Sequence, residues 1–193
     1  MKSTTKQDED RKLVRDLIPM IAESCESNTN VFGVYETEEE FRIGLCDKIL
    51  EESQEVIEAL LYTDDFEEIL PILEEMCDLM EVIDCCSEMW LDPIDNTEDI
   101  LNIISIDTPS VLARYDHLMH KDFALLLYSI RFSLYYSFRE SDRDIFEQQC
   151  ILLCGVILGY MSIYGIGVDE IKELQTEKRE KRGGFEKACF LEL

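Results

Sequence analysis

The chain has 193 residues, enough for one ordinary domain with a sizeable hydrophobic core and too few for two large ones. Its formal net charge of −25 argues against nucleic acid polymers and anionic membranes as partners, because both would repel it. The eight cysteines include no CxxC pair and stand mostly in apolar runs, which predicts reduced thiols and a cytoplasmic protein.

The N-terminal part of the chain changes from polar to amphipathic. Residues 1–10 are polar and charged, which predicts a disordered tail rather than a secretory signal peptide. A short helix is predicted from Lys12 to Ser24, with Pro19 marking a kink or a break. A longer helix is predicted over Glu38–Leu61, because apolar residues recur there at helical spacing, namely Leu45, Ile49, Val56 and Leu60.

The remainder of the chain also follows the periodicity of helices. The turn residues at 63–65 lead into a second amphipathic helix over Phe66–Trp90, whose Pro71 stands early enough to be tolerated. Residues 92–109 are predicted as a loop with one short helix at most. Three further helices are predicted over Asp122–Arg139, Asp144–Tyr164 and Val168–Lys181. Since no strand pattern and no Gly-rich phosphate loop appears, the sequence predicts a single all-α domain over residues 1–193.

The most apolar stretch is Cys150–Val168, which runs for 19 residues without a charge and contains Gly155 and Gly159 at GxxxG spacing. A membrane-spanning helix and a buried core helix both fit this length. The glycines at 165 and 167 and the lack of a basic flank favour the core helix, so no membrane contact is expected.

Acidic residues are concentrated at 49–113, where 19 Asp and Glu occur without one Lys or Arg. Glu52 and Glu55 stand three apart on one predicted helix, and Glu75 and Asp78 repeat that spacing on the next, so each pair lies on one helical face. Four converging carboxylates need a counter-charge, since two of them about 4 Å apart repel by roughly 4 kcal/mol at an effective dielectric near 20. Oxygen ligands alone suit a hard divalent cation such as magnesium, manganese or calcium.

Two interpretations of these acids stay open. A metal site is favoured by Glu52, which falls inside the apolar stripe of its helix, where an ionised side chain needs a partner. Glu75 lies at the border of the next apolar stripe, and Asp78 lies further round from it. The alternative is a solvated or salt-bridged acidic face, which a chain with 43 Asp and Glu often produces by chance.

The C-terminal segment 178–193 holds five of the eighteen Lys and Arg, placed around Gly183 and Gly184. Guanidinium groups and free glycine amides at a helix end can bind a phosphate. The alternative is ordinary helix termination, because basic residues favour the last helical turn and glycine is the usual cap.

Four blocks of the sequence, in this order, resemble a known family. They are Lys12–Pro19 (KLVRDLIP), Lys48–Glu55 (KILEESQE), Glu74–Asp84 (EEMCDLMEVID) and Glu180–Lys187 (EKRGGFEK). The chain resembles the MazG-type all-α nucleoside triphosphate pyrophosphohydrolases, and within them the branch similar to phosphoribosyl-ATP pyrophosphohydrolase. The resemblance covers residues 11–87 and 150–190.

This resemblance implies an all-α bundle of the same type and magnesium-dependent hydrolysis of a nucleoside triphosphate between its α and β phosphates. It implies metal binding by Glu52, Glu55, Glu75 and Asp78, with manganese as an alternative ion. Glu52 and Glu55 are the predicted catalytic residues, and Glu55 is the candidate that orients or deprotonates the attacking water. The predicted contacts of the substrate phosphates are Lys12, Arg15, Arg182 and Lys187.

The sequence leaves alternatives open for the role of Lys48 and for the biological class of the protein. Lys48 stands one turn before Glu52 and is a weaker candidate for a phosphate contact, because pairing with the acids is the alternative. A house-cleaning enzyme for canonical or modified nucleotides fits the implied activity. Two other classes stay open, a binding protein that keeps the nucleotide and metal site without turnover, and an acidic helical interaction module.

Residues 87–149 have no counterpart in the family and are predicted as a helical insertion. The family implies a homodimer, unless the insertion fills the place of a partner subunit within one chain; a separate interaction surface is the other alternative. The apolar residues concerned are Phe123, Leu126, Leu127, Ile130, Leu134 and Phe138. Candidate substrate contacts are Arg131, Arg139 and Arg143, and the residues that either stack on a base or belong to the core are Tyr128, Tyr135 and Tyr136.

Overall fold

The computed structural model of the protein describes residues 11–24, 30–62, 69–89 and 120–192. Helices make up 76% of these residues and confirm the predicted all-α bundle. The described helices are α1 (Ile18–Glu23), α2 (Glu38–Tyr62), α3 (Ile69–Glu88), α4 (His120–Arg139), α5 (Arg143–Ile163) and α6 (Val168–Arg182). The predicted tail at 1–10, the turn at 63–65 and the loop at 92–109 lie outside the described residues.

The segment before α2 differs from its prediction. Residues 11–13 form a strand, and the first helix begins only at Ile18. Pro19 stands in the first turn of α1, where a backbone N–H has no intrahelical acceptor in any case. This proline therefore begins the helix instead of breaking it, and the predicted start at Lys12 was wrong.

A three-stranded antiparallel sheet joins the two ends of the described chain. Its strands are β1 (Arg11–Leu13), β2 (Phe32–Val34) and β3 (Cys189–Glu192), in the spatial order β1, β3, β2. Gly33 pairs with Phe190, and a Cβ atom on Gly33 would overlap the Phe190 ring. The sequence predicted no strands, and this prediction was wrong. Runs of three or four residues are too short to show an alternating pattern.

α2 is the central helix of the bundle and packs against both α3 and α4, while α5 packs against α4. The apolar stripe predicted on α2 is buried, and Leu45, Ile49 and Val56 are each 0% exposed. Burial of one such side chain stabilises a fold by about 1.5–3 kcal/mol. This stripe therefore sets the rotation of α2 and, with it, the direction in which the acids of α2 point.

α4, the described helix of the predicted insertion, belongs to the same core. It packs against α2 and α5. Of the six apolar residues predicted for the insertion, five are buried and Leu126 is partly buried. The residues of its buried face are Phe123, Leu127, Ile130, Leu134 and Phe138. The described part of the insertion is thus a layer of the bundle and not a separate module.

α5 contains the apolar stretch for which a core helix was predicted. Of the described helices, it is the one long and apolar enough to cross a membrane by length and composition. The bundle buries 61% of its most apolar window, and Gly155 and Gly159 are among the buried residues. This burial agrees with the interpretation of α5 as a core helix.

Candidate metal centre

Carboxylate groups of α2 and α3 meet on one side of the bundle. One oxygen atom from each of Glu52, Glu75 and Asp78 lies within 4.8 Å of the other two, and we call these residues the cross-helix trio. Glu51, Glu52 and Glu55 meet the same criterion and form the α2 trio. The structure therefore brings the four predicted acids together in two overlapping groups that share Glu52.

The burial of these acids follows from the packing of their helices. Glu52 is 5% exposed, as its position inside the apolar stripe predicts. Glu75 is half-buried at the border of its stripe, and Glu55 is exposed. Asp78 is 8% exposed, so its predicted place further from the core was wrong. The reason is that α6 packs against α3 and covers this side of it.

Two lysines supply part of the counter-charge. The Lys48 ammonium lies 2.5 Å from Glu52 Oε1 and 2.8 Å from Glu51 Oε1, so of its two alternatives the structure shows the pairing with the acids. The Lys178 ammonium lies 2.9 Å from Asp78 Oδ2 and also donates to a backbone carbonyl of α3 at 2.6 Å. Both lysines are buried, so these ion pairs form largely out of water.

Arg15 joins the acids of α3 to the turn after α6. Its guanidinium donates to Asp78 Oδ1 and to Glu81 Oε2, both at 2.5 Å, and to the Gly183 carbonyl oxygen at 3.1 Å. Gly183 has a φ of +78°, and a Cβ atom there would stand 2.9 Å from the backbone nitrogen of Leu17, so this turn requires glycine. Arg15, a predicted phosphate contact, is 7% exposed and serves in this structure as a buried counter-charge.

The other three predicted phosphate contacts lie nearer the surface. Lys12 pairs with Glu51 at 2.7 Å, and its side chain is 41% exposed. The side chains of Arg182 and Lys187 are exposed and form no ion pair with any residue that the structure describes. Their backbone groups hydrogen-bond to the segment before α1, which brings the C-terminal turn to the N-terminal strand.

Among the residues that the structure describes, the acids gathered here outnumber the bases that face them. The acids are Glu51, Glu52, Glu55, Glu75, Asp78 and Glu81, and the bases are Lys12, Arg15, Lys48 and Lys178; together we call them the acid cluster. If every group is ionised, the cluster keeps two negative charges. One divalent cation would neutralise them.

Glu52 shows most clearly that the acids are not fully compensated. Its Oε2 atom is buried and has no hydrogen-bond partner among the described residues. Burial raises the pKa of Glu52 to about 7, and the ion pair with Lys48 offsets this effect only in part. The pKa values of Glu55 and Glu75 are also raised, first by burial and then by neighbouring carboxylates. A hard cation fits such a set of oxygen ligands.

Local sequence patterns do not reveal every member of the acid cluster. Glu81 was not among the predicted site residues, although it follows Asp78 at the same spacing of three and therefore lies on the same helical face. Lys178 was not among them either, because it lies 100 positions from Asp78 and no local spacing relates the two.

The chain was compared with models of protein families, with curated proteins and with solved structures, and none of them matches it. Its function is therefore inferred from the acid cluster and from the resemblance of the four sequence blocks.

Proposed function

We propose that the protein is a magnesium-dependent nucleoside triphosphate pyrophosphohydrolase, as the four sequence blocks imply. It would cleave the phosphoric anhydride between the α and β phosphates and release the monophosphate and pyrophosphate. One observation carries the proposal: Glu52 Oε2 is buried without a partner in the described part of the chain, and Glu52 belongs to both carboxylate trios. Manganese suits the same oxygen ligands.

The charge of the protein supports a metal-dependent reaction. A triphosphate would be repelled by a chain of net charge −25 unless a cation accompanied it. The residues that would hold magnesium are Glu52, Glu55, Glu75 and Asp78. When bound, the ion supplies neutralisation of the phosphate charge and polarisation of the phosphoryl group under attack.

We assign to Glu55 the role of the base that accepts a proton from the attacking water. This side chain is the exposed member of the α2 trio, so water reaches it. Partial burial of its carboxylate on the protein side, and then the charge of Glu51, raise the pKa of Glu55, which makes it a stronger base than an ordinary glutamate. Glu52, by contrast, is too deeply placed to meet solvent directly and serves the metal.

The basic residues divide into two groups. Lys12, Arg182 and Lys187 reach solvent and are the candidates for contacts with the substrate phosphates. Arg15 is held by Asp78 and Glu81, so we assign it to positioning these acids and not to the substrate. Arginine fits this task because its planar group donates to two carboxylates at once.

A second class of function is favoured by the ion pairs themselves. Buried pairs such as Lys178 with Asp78 provide much of the counter-charge, so the bundle does not require a metal to fold. In this case the acids serve the fold, and the protein presents an acidic helical surface to a partner.

Pyrophosphate release from a panel of canonical and modified nucleoside triphosphates, with and without magnesium, tests the proposal. We expect release only with magnesium. In Glu52→Gln, kcat should fall by more than 100-fold, since even the outer partners of metal ligands contribute roughly 10–100-fold. Glu74→Gln is the matched control, because Glu74 is the neighbour of Glu75 but belongs to neither trio, and it should keep wild-type activity.

Absence of release from every triphosphate, or unchanged release by Glu52→Gln, would refute the proposal. A binding protein without turnover would bind the magnesium nucleotide and release no pyrophosphate. An acidic interaction module would do neither, and magnesium would leave its melting temperature unchanged.

A further inference from the structure

The seam between α2 and α4 carries an arginine stacked on two aromatic rings. The guanidinium carbon of Arg131 lies 4.3 Å from the ring centroid of Tyr128 and 4.8 Å from that of Phe132. Its Nη1 atom donates to Gln54 Oε1 at 2.6 Å. Both rings reach solvent, since Tyr128 is 49% and Phe132 is 37% exposed. The group therefore offers aromatic surface and polar hydrogens at one place.

Arg131 differs in its pairing from the bases of the acid cluster. Each of those four bases lies against at least one carboxylate. Arg131 forms no ion pair with any carboxylate in the described ranges, and its Nε atom is buried there without an acceptor. Because Arg131 has no carboxylate partner among the described residues, its guanidinium retains the capacity to donate to an acceptor atom of a ligand.

The position of Gln54 relates this group to the candidate metal centre. Successive helical residues are about 100° apart, so Gln54 lies about 160° from Glu52 around α2. The arc between them passes the two other members of the α2 trio, Glu51 and Glu55. On a helix 10–12 Å across, this arc is roughly 15 Å long. A ligand of nucleotide size that lies along it reaches both ends.

We infer that Tyr128, Arg131 and Phe132, together with Gln54, form a subsite for the nucleobase of the substrate. This inference rests on the proposed function, and it deepens it by assigning the end of the substrate opposite the phosphates. The flat base stacks on the exposed aromatic surface, while the Arg131 guanidinium meets acceptor atoms on its edge. The amide nitrogen of Gln54 donates one hydrogen to Glu58 Oε1 at 2.8 Å and keeps the other for the base. Stacking of this kind is open to any base, because every base has a π face.

A purely structural role for the same group makes a different prediction. If the stacked arginine only clamps α4 to α2, its loss weakens the fold and affects every ligand of the acid cluster alike. If the group binds the base, its loss weakens only ligands that have a base. Inorganic tripolyphosphate has the charged chain of the substrate without the nucleoside, so it separates the two cases.

Calorimetric titration of the full chain with two magnesium-loaded probes tests the inference. The probes are a nucleoside triphosphate with a non-hydrolysable α,β-methylene bridge, and tripolyphosphate. Tyr128→Ala and Arg131→Gln should each weaken binding of the nucleotide by roughly 5- to 100-fold, the range of base stacking, and change tripolyphosphate binding by less than twofold. Leu152→Ala, which removes a 43% exposed apolar side chain of α5, is the control and should change neither.

Equal weakening of both probes, no weakening of the nucleotide, or a wild type that binds the nucleotide no more tightly than tripolyphosphate would overturn the inference. These results are distinct from a failure of the proposed function, because the bridged nucleotide reports binding without turnover. If the protein binds the bridged nucleotide through Tyr128 but releases no pyrophosphate, the subsite is supported and the proposed activity is refuted. If the protein releases pyrophosphate but Tyr128→Ala and Arg131→Gln leave nucleotide binding unchanged, the proposed activity is supported and the subsite is refuted.

Discussion

Glu52 is a residue at which burial and charge conflict. An ionised carboxylate removed from water is unfavourable by several kcal/mol unless it is fully paired. Lys48 satisfies one of its oxygen atoms, and the other has no partner among the described residues. Proteins keep locally unfavourable groups mainly at functional sites, which is why we propose Glu52 as a metal ligand.

Lys178→Met tests how much the buried counter-charge stabilises the fold. The free energy of unfolding should fall by about 3 kcal/mol, because Asp78 loses one of its two buried cations and remains charged. Urea denaturation in the presence of a chelator measures this loss. Lys181→Met is the matched control on the same helix; its pair with Glu177 is exposed, so its loss should stay below about 0.5 kcal/mol. Equal losses would show that the Lys178 pair is not the source of the stability.

Binding of magnesium should stabilise the protein through Glu52. At a concentration of roughly 100 times its Kd, magnesium should add about 2.7 kcal/mol to the free energy of unfolding, because it binds the folded state alone. Glu52→Gln should abolish this gain, and thermal melting with and without magnesium measures it. Sodium chloride of the same ionic strength is the control for screening. A gain that persists in Glu52→Gln would place the ion elsewhere.

Sequence reasoning located some residues of the site and missed others for a physical reason. The apolar stripe of α2 identifies Glu52 as buried, because periodicity describes how one helix packs against its neighbours. It does not describe what covers a helix from a distant part of the chain. Asp78 was therefore placed too far from the core, and Arg15 and Lys178 were not recognised as its partners, which stand 63 and 100 positions away.

At the level of elements, the long helices were predicted closely and the short pieces were not. α2 and α4 carry several turns of apolar residues at helical spacing, so their predicted ends lie within two residues of the observed ones. The three strands have no such internal signal. Each is held by its pairing, above all by β3, which lies between the other two and comes last in the chain.

Leu134→Ala tests whether α4 is part of the same cooperative core. Leu134 is 0% exposed, so its truncation should lower the free energy of unfolding by about 2–5 kcal/mol, through lost burial and a residual cavity. Leu125→Ala on the same helix is the control, since Leu125 is 66% exposed and its truncation should fall within about 0.5 kcal/mol. Chemical denaturation followed by circular dichroism measures both. A second, separate unfolding transition in Leu134→Ala would instead show α4 to be an independent unit.

For the whole molecule, stability should decrease as the pH rises towards neutrality. Burial, followed by the charges of Glu81 and Glu88, raises the pKa of Asp84 from 3.8 to about 7. Because the folded state holds this proton more tightly than the unfolded state, the free energy of unfolding falls between about pH 4 and 7 and is level above. The loss from Asp84 amounts to about 2–4 kcal/mol, with the lower figure reflecting its partial exposure.

Urea denaturation at several pH values between 5 and 8, in the presence of a chelator, measures this trend. Asp84→Asn cannot ionise and should therefore have a shallower dependence on pH than the wild type. The raised pKa values of Glu52, Glu55 and Glu75 act in the same direction, so part of the slope should remain. A stability that increases with pH over this range would contradict the assignment.

The dependence of the acid cluster on both ends of the sequence sets an order of events during synthesis. Lys178 follows Asp78 by 100 residues, and a ribosome adds roughly 5–20 residues per second, so the base appears about 5–20 s after the acid that it neutralises. During that interval the carboxylates of α2 and α3 lack Lys178 of α6. The strands β1 and β2 likewise have no pairing partner until β3, which lies between them, has been synthesised. The site thus forms only after α6 has been synthesised, and a ribosome stalled before residue 178 holds a chain whose acidic helices have not yet reached their native pairing.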